Sequence, residues 1–101
     1  VKNDLFEVDF ASGILYKINL KTKSILKVAE GFGGGDGLIK SGDSFFVSDW
    51  KNGKIFKLQR NKVTLFKEGF TAAADIALSY DKRSIITPDM KTGSVTLVPI
   101  H

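Results

Sequence analysis

Asp49-Trp-Lys-Asn-Gly53 has two counterparts in the chain, Asp9-Phe-Ala-Ser-Gly13 and Asp89-Met-Lys-Thr-Gly93, so the same aspartate and glycine recur every 40 residues. The sequence that follows each copy keeps this register. Tyr16-Lys-Ile18, for example, corresponds to Phe56-Lys-Leu58. An internal repeat of this length indicates a fold built from one small structural unit that is used several times.

Each copy of the Asp-Xaa-Xaa-Xaa-Gly pattern has the residues of a β-hairpin turn. Aspartate accepts hydrogen bonds from nearby backbone N–H groups, and glycine adopts a positive φ without steric cost. Runs rich in Val, Ile and Phe flank each pattern and predict strands, whereas no useful length of sequence has helical periodicity. In the central repeat we predict four strands, at residues 37–40, 44–48, 54–59 and 63–67, with the last strand outermost.

A period of 40 residues that contains four short strands is typical of a β-propeller blade. The predicted fold class is therefore all-β, with about two and a half four-stranded antiparallel blades. We assign a partial blade to residues 1–32, a full blade to 33–72 and most of a further blade to 73–101. Closed propellers have about four to eight blades. The chain is thus expected to be one piece of a larger propeller or one of several copies that complete a ring, and its expected partners are the remaining blades or further copies.

The composition excludes several other classes of protein. The 101 residues are 43% hydrophobic and carry a formal net charge of +4, which is an ordinary globular balance and not that of a disordered chain. The absence of cysteine excludes disulfides and thiolate metal sites. The apolar runs are too short to span a bilayer. The lysines are scattered among strand-like runs instead of clustering beside aromatic residues, so neither a nucleic acid nor a membrane is expected as a partner.

The glycine-rich run Gly31-Phe-Gly-Gly-Gly-Asp-Gly37 is the most unusual segment. It lacks the lysine and the following helix of a phosphate-binding loop, so we expect it to form the crossing between two blades. Within it, Asp36 precedes a predicted innermost strand, and Asp75 holds nearly the same place in the next repeat. Converging carboxylates at such positions suit Ca²⁺, or one of them suits a general base. The alternative is that both aspartates cap the strand backbone.

The three repeated aspartates, by contrast, are expected to stabilise their hairpins, because residues that a turn requires recur in every unit. Trp50 follows one of them, and Phe10 and Met90 occupy the equivalent places. We interpret these three side chains as packing between blades, in preference to a platform for a ligand.

A family resemblance arises from these motifs. Gly35-Asp-Gly-Leu38, followed by residues 44–49, resembles the Pro-Asp-Gly strand pair of the senescence marker protein/gluconolactonase family, which is also called regucalcin-like. Residues 75–95 look like the next blade of such proteins, and NHL-repeat propellers are similar neighbours. The resemblance implies a six-bladed propeller with one divalent cation, often Ca²⁺, in its central channel, and it covers the chain only as the last part of that domain.

The resemblance also implies an activity. Active members of the family hydrolyse lactones or phosphotriesters, and Asp36 falls on the position of their metal ligand and probable base. Gly35 replaces the proline of the motif, Asp75 matches no ligand of the family, and the remaining ligands have no counterpart in the chain. The first functional hypothesis is thus part of a metal-dependent lactonase-like hydrolase. The alternative is a non-catalytic propeller that acts as a scaffold or binds a small molecule or a protein.

Overall fold

The computed structural model describes residues 4–32, 34–60 and 62–100. These residues form ten strands in three antiparallel sheets and contain no helix, hence none able to cross a membrane. The N-terminal sheet has the order β1-β2-β3, the central sheet β4-β5-β6-β7 and the C-terminal sheet β10-β9-β8. The strands are β1 Asp4–Asp9, β2 Ile14–Asn19, β3 Ile25–Ala29, β4 Gly35–Ser41, β5 Ser44–Asp49, β6 Lys54–Gln59, β7 Lys62–Lys67, β8 Ala77–Leu78, β9 Ser84–Asp89 and β10 Ser94–Pro99.

The all-β prediction is confirmed, and so are the four strands of the central repeat, with β7 at the edge of the sheet. By the 40-residue register, β1–β3 correspond to β5–β7, and β9 and β10 correspond to β5 and β6. The N-terminal sheet therefore has no equivalent of β4 among the described residues, and the C-terminal sheet has none of β7. The three sheets as described do not close into a ring.

Both faces of the central sheet are buried. Alternate residues of its strands point to opposite sides, so each face packs against a different neighbouring sheet. On one face, Phe46 and Ile55 pack against the C-terminal sheet and are fully buried. On the other face, Val47 and Leu58 pack against the N-terminal sheet. Two apolar cores thus stack the sheets in chain order. This is the reason why β5 is apolar on both sides and does not alternate.

The three hairpins that follow β1, β5 and β9 have one backbone conformation. Gly13, Gly53 and Gly93 have φ values of 69°, 65° and 71°, and the N–H of each donates to the carbonyl of the aspartate four residues earlier, at 2.8, 2.9 and 2.9 Å. The predicted positive-φ turn is confirmed in all three repeats.

A second repeated contact joins each hairpin to the segment that leaves the same sheet. The N–H of Phe32 donates to the carbonyl of Gly13 at 3.0 Å, and the N–H of Phe70 donates to that of Gly53 at 3.2 Å. The connection to the following sheet thus begins at a fixed point on the hairpin.

The hairpin glycines differ in the space around them, which gives a matched pair of variants. A Cβ at Gly53 would lie 1.7 Å from the carbonyl oxygen of Phe70, whereas one at Gly93 would meet nothing within 4 Å. We expect Gly93→Ala to cost about 1 kcal/mol, for positive φ alone. We expect Gly53→Ala to cost at least about 2 kcal/mol more, because the Phe70 segment must also move. Urea denaturation measures both values, and equal losses would contradict the contact between Gly53 and Phe70.

Candidate functional site

The hairpin ends of the three sheets lie beside one another and present the residue that follows each repeated aspartate. The rings of Phe10 and Trp50 have their centroids 6.3 Å apart. The ammonium group of Lys91 lies 6.0 Å from the centroid of the Trp50 ring, within the range of a cation–π contact. We call Phe10, Trp50 and Met90, with Lys51 and Lys91, the hairpin row.

The apolar side chains of the hairpin row lie at the surface. Phe10 is 52% exposed and Met90 is 68% exposed, while Trp50 is half-buried. Phe10 and Trp50 contact each other across two neighbouring hairpins, as expected, whereas the expectation that these residues pack between blades is wrong for Met90. The reason for the exposure of Phe10 and Met90 is that they belong to the turns and extend beyond the ends of the strands, where a neighbouring sheet covers them incompletely or not at all.

A small cavity opens beside the hairpin row, between the first two hairpins. It has a volume of about 270 Å³ and is lined by Phe10, Ala11, Gly34, Lys51 and Asn52. Apolar and cationic groups thus meet at one end of the sheets. Sequence reasoning missed this site, although the exact recurrence of Phe, Trp and Met after the aspartates is a signal that could have located it.

The carboxylates of the three repeated aspartates are occupied by the turns. Asp9 accepts from the N–H of Ser12 at 2.9 Å, and Asp49 accepts from the N–H and the side-chain amide of Asn52 at 3.1 and 2.8 Å. Their predicted structural role is confirmed. These groups fix the loops that carry the hairpin row.

Asp89 makes the most extensive set of these bonds. It accepts from the N–H groups of Thr71 at 2.7 Å, Ala72 at 3.1 Å, Lys91 at 3.1 Å and Thr92 at 3.3 Å. Burial of the carboxylate acts to raise its pKa, but the four donors outweigh burial and hold the pKa of Asp89 below its usual value. One side chain therefore fixes both its own hairpin and the segment that enters the C-terminal sheet.

The positions of Asp36 and Asp75 in the repeat follow from strand pairing. Gly35 pairs with Asp49, and Ala73 makes the equivalent bridge to Asp89. The segments that enter the central and C-terminal sheets are therefore related by 38 residues and not by 40.

With this register, Asp36 corresponds to Ala74, and Asp75 corresponds to Gly37. Both aspartates are exposed, but they hold successive positions of the repeat instead of the same one. No group of three or more Asp, Glu or His side chains suited to a metal ion occurs among the described residues. A divalent cation bound by Asp36 and Asp75 stays a prediction.

The glycine-rich run connects β3 to β4, as the sequence predicted; its residue Gly33 lies outside the described residues. Its glycines allow neighbouring sheets to approach closely. A Cβ at Gly37 would lie 2.5 Å from the backbone nitrogen of Ile76. Beside it, the buried Ser48 hydroxyl accepts from the Gly37 N–H at 2.8 Å and donates to the carbonyl of Ala74 at 2.5 Å. This run thus serves the packing of the central sheet on its neighbours.

Comparisons with known proteins give a likeness in fold only. No protein-family model matches the chain, and no curated protein matches it. Among solved structures, the chain is similar to the crystal structure of the computationally designed Ika4 protein, with a TM-score of 0.71 and 14% sequence identity. The match covers 98% of this chain and 61% of that chain.

The resemblance to the gluconolactonase family is therefore wrong, since no family model or curated relative supports it and the structural likeness is to a designed protein. The reason lies in the motif. A Gly-Asp-Gly string before a strand, followed by a strand that ends in aspartate, is here the pairing of β4 with β5 and the capping of a turn. Such a pattern therefore indicates local strand pairing and a capped turn, and it does not indicate a family.

The hydrogen bonds of Asp89 predict a pH dependence of stability. A carboxyl group whose pKa is lowered in the folded state stabilises the protein above its unfolded value near 3.8, and this stabilisation is lost as the pH falls through the lower folded value. We expect Asp89→Asn to be less stable than wild type near neutral pH, and we expect this difference to shrink below pH 3.8.

Urea denaturation across this pH range measures the effect. Asp43→Asn, in the exposed turn between β4 and β5, is the matched control and should follow wild type. A difference between wild type and Asp89→Asn that stays constant with pH would contradict the assignment.

Proposed function

We propose that the chain is a non-catalytic binding module built from β-propeller blades, and that the hairpin row is its binding surface. The support for blades is the repeat itself: antiparallel sheets in chain order, each with its hairpin at the same end. A repeat of four-stranded sheets stacked face to face is the architecture of a propeller. Loops at one end of such sheets are where binding residues commonly lie.

The chemistry of the carboxylates favours binding over hydrolysis. The aspartates that recur in every unit accept hydrogen bonds from backbone N–H groups of their turns, so they serve the loop geometry. Asp36 and Asp75 hold different positions of the repeat, and the family resemblance that gave Asp36 a catalytic role is withdrawn. The hypothesis of a lactonase-like hydrolase thus has no remaining support from a relative.

The hairpin row suits a polypeptide better than a small molecule. Its cavity, at about 270 Å³, is at the lower end of the volumes that enclose drug-sized ligands. The exposed apolar side chains extend beyond that cavity over all three hairpins, as an elongated ligand requires. Lys51 and Lys91 place positive charge beside them, so the complementary ligand is a peptide segment with apolar and acidic side chains.

The single observation that carries this proposal is the exposure of large apolar side chains at equivalent positions of rigid turns. Exposed Phe10 and Met90 contribute nothing to either core. Turns fixed by an aspartate and a glycine hold the backbone of these residues in constant geometry, so little backbone conformational entropy is lost when a partner binds.

Selection from a phage-displayed library of random peptides on the immobilised chain tests the proposal. We expect enrichment of peptides that combine aromatic or aliphatic residues with Asp or Glu. Trp50 is the only tryptophan of the chain, so its fluorescence reports directly whether a selected synthetic peptide binds at the hairpin row.

Charge reversal tests the role of the two lysines, and a lysine outside the hairpin row provides the control. The double variant Lys51→Glu with Lys91→Glu should weaken binding of the selected peptide by about tenfold or more, because like charges then face each other. Lys62→Glu, on the outer strand β7, makes the same kind of change away from the hairpin row and should leave binding unchanged. Equal losses in both variants, or no enriched peptide, would overturn the proposal.

A further inference from the structure

Two sheet faces remain uncovered, one at each end of the stack. The N-terminal sheet exposes Leu5, and the C-terminal sheet exposes Val95 and Leu97. We call the side of a sheet that faces the next sheet in the chain its forward face, and the opposite side its rear face. The uncovered surfaces are the rear face of the N-terminal sheet and the forward face of the C-terminal sheet.

The repeat identifies what the forward face normally contacts. Positions 15, 55 and 95 are equivalent. Leu15 and Ile55 are both 0% exposed, the first against the central sheet and the second against the C-terminal sheet. Val95 is 67% exposed, because no sheet among the described residues covers this face. An apolar residue is thus kept at a position where its equivalents are fully buried.

The rear face shows the same relation. Positions 5, 45 and 85 are equivalent. Ile85 is 0% exposed against the central sheet, and Phe45 packs on Phe6 of the N-terminal sheet with ring centroids 4.6 Å apart. Leu5, at the same position, is 52% exposed. Leu5 lies opposite Ile18, which adds apolar surface to this face.

We propose that these two faces join in a complex of two copies of the chain. The forward face of the C-terminal sheet in one copy packs on the rear face of the N-terminal sheet in the other. This inference rests on the stacked blades of the proposed function, and it names the second copy as the partner of the end sheets.

The argument for a second copy is continuity with the two interfaces inside the chain. A forward face packs on a rear face twice in succession there, and the two uncovered surfaces are one forward face and one rear face. Such a contact joins different surfaces of the two copies, and it closes when the rotation between units completes a circle. Two copies bring six sheets, which is within the range of about four to eight found in closed propellers.

The test uses one substitution on each face. Leu97→Asp changes the forward face and Leu5→Asp changes the rear face, and both residues are exposed in the single chain, so neither substitution disturbs an internal core. We expect wild type to sediment as a dimer in analytical ultracentrifugation, and each variant alone to have its dissociation constant raised about tenfold or more. Tyr80→Asp is the control. Tyr80 is fully exposed in the turn between β8 and β9, so its replacement removes an apolar side chain without touching either face.

Mixing distinguishes this arrangement from others. Leu97→Asp retains an intact rear face and Leu5→Asp an intact forward face, so an equimolar mixture should form a one-to-one complex that neither variant forms alone. A wild-type chain that is monomeric at every concentration would overturn the second copy as the occupant. A single variant that dimerises as well as wild type would show a contact between like faces and would also overturn the proposal. Peptide binding at the hairpin row is measured separately, so failure of one proposal leaves the other intact.

Discussion

The structure depends on the burial of both faces of the central sheet. Phe46 and Ile55 on one face and Val47 and Leu58 on the other are almost completely excluded from solvent. Burial of each such side chain contributes about 1.5–3 kcal/mol. An isolated sheet cannot bury two apolar faces, so the central sheet requires a neighbouring sheet on either side.

The repeated hairpin holds a set of surface residues in fixed positions at one end of the stacked sheets. Its glycine allows the chain to reverse, and its aspartate accepts hydrogen bonds from the turn. In the C-terminal sheet the same carboxylate also holds the segment that arrives from the preceding sheet. Turns fixed in this way carry the residues of the hairpin row, so the contacts that stabilise the fold also determine the geometry of the proposed binding surface.

The sequence predicted what depends on local chemistry. The 40-residue register and the hairpin glycines follow from short patterns of aspartate, glycine and alternating apolar residues, and the structure confirms them. The structure also places β7 at an edge of its sheet. The exposure of Phe10 and Met90 depends on how far a turn projects beyond the neighbouring sheets, which is a property of the assembled stack and not of any local pattern.

The candidate metal site illustrates a second limit. A 40-residue spacing governs the hairpins, but the connecting segments follow a 38-residue spacing, as the pairing of Gly35 with Asp49 and of Ala73 with Asp89 shows. Under the 38-residue spacing, Asp75 corresponds to Gly37, so Asp36 and Asp75 lie one position apart in the repeat. The string Gly35-Asp-Gly37 serves the close packing of neighbouring sheets, so it does not identify a family.

Hydrogen–deuterium exchange of the backbone amides, at a concentration where the chain is monomeric, tests the central claim most directly. If burial of the central sheet on both faces holds the stack together, the amides of β5 and β6 exchange most slowly. Those of β2 and β9, which are also interior strands, exchange faster because each lies in a sheet with one uncovered face. Amides of β5 that exchange as fast as those of β2 and β9 would contradict the account.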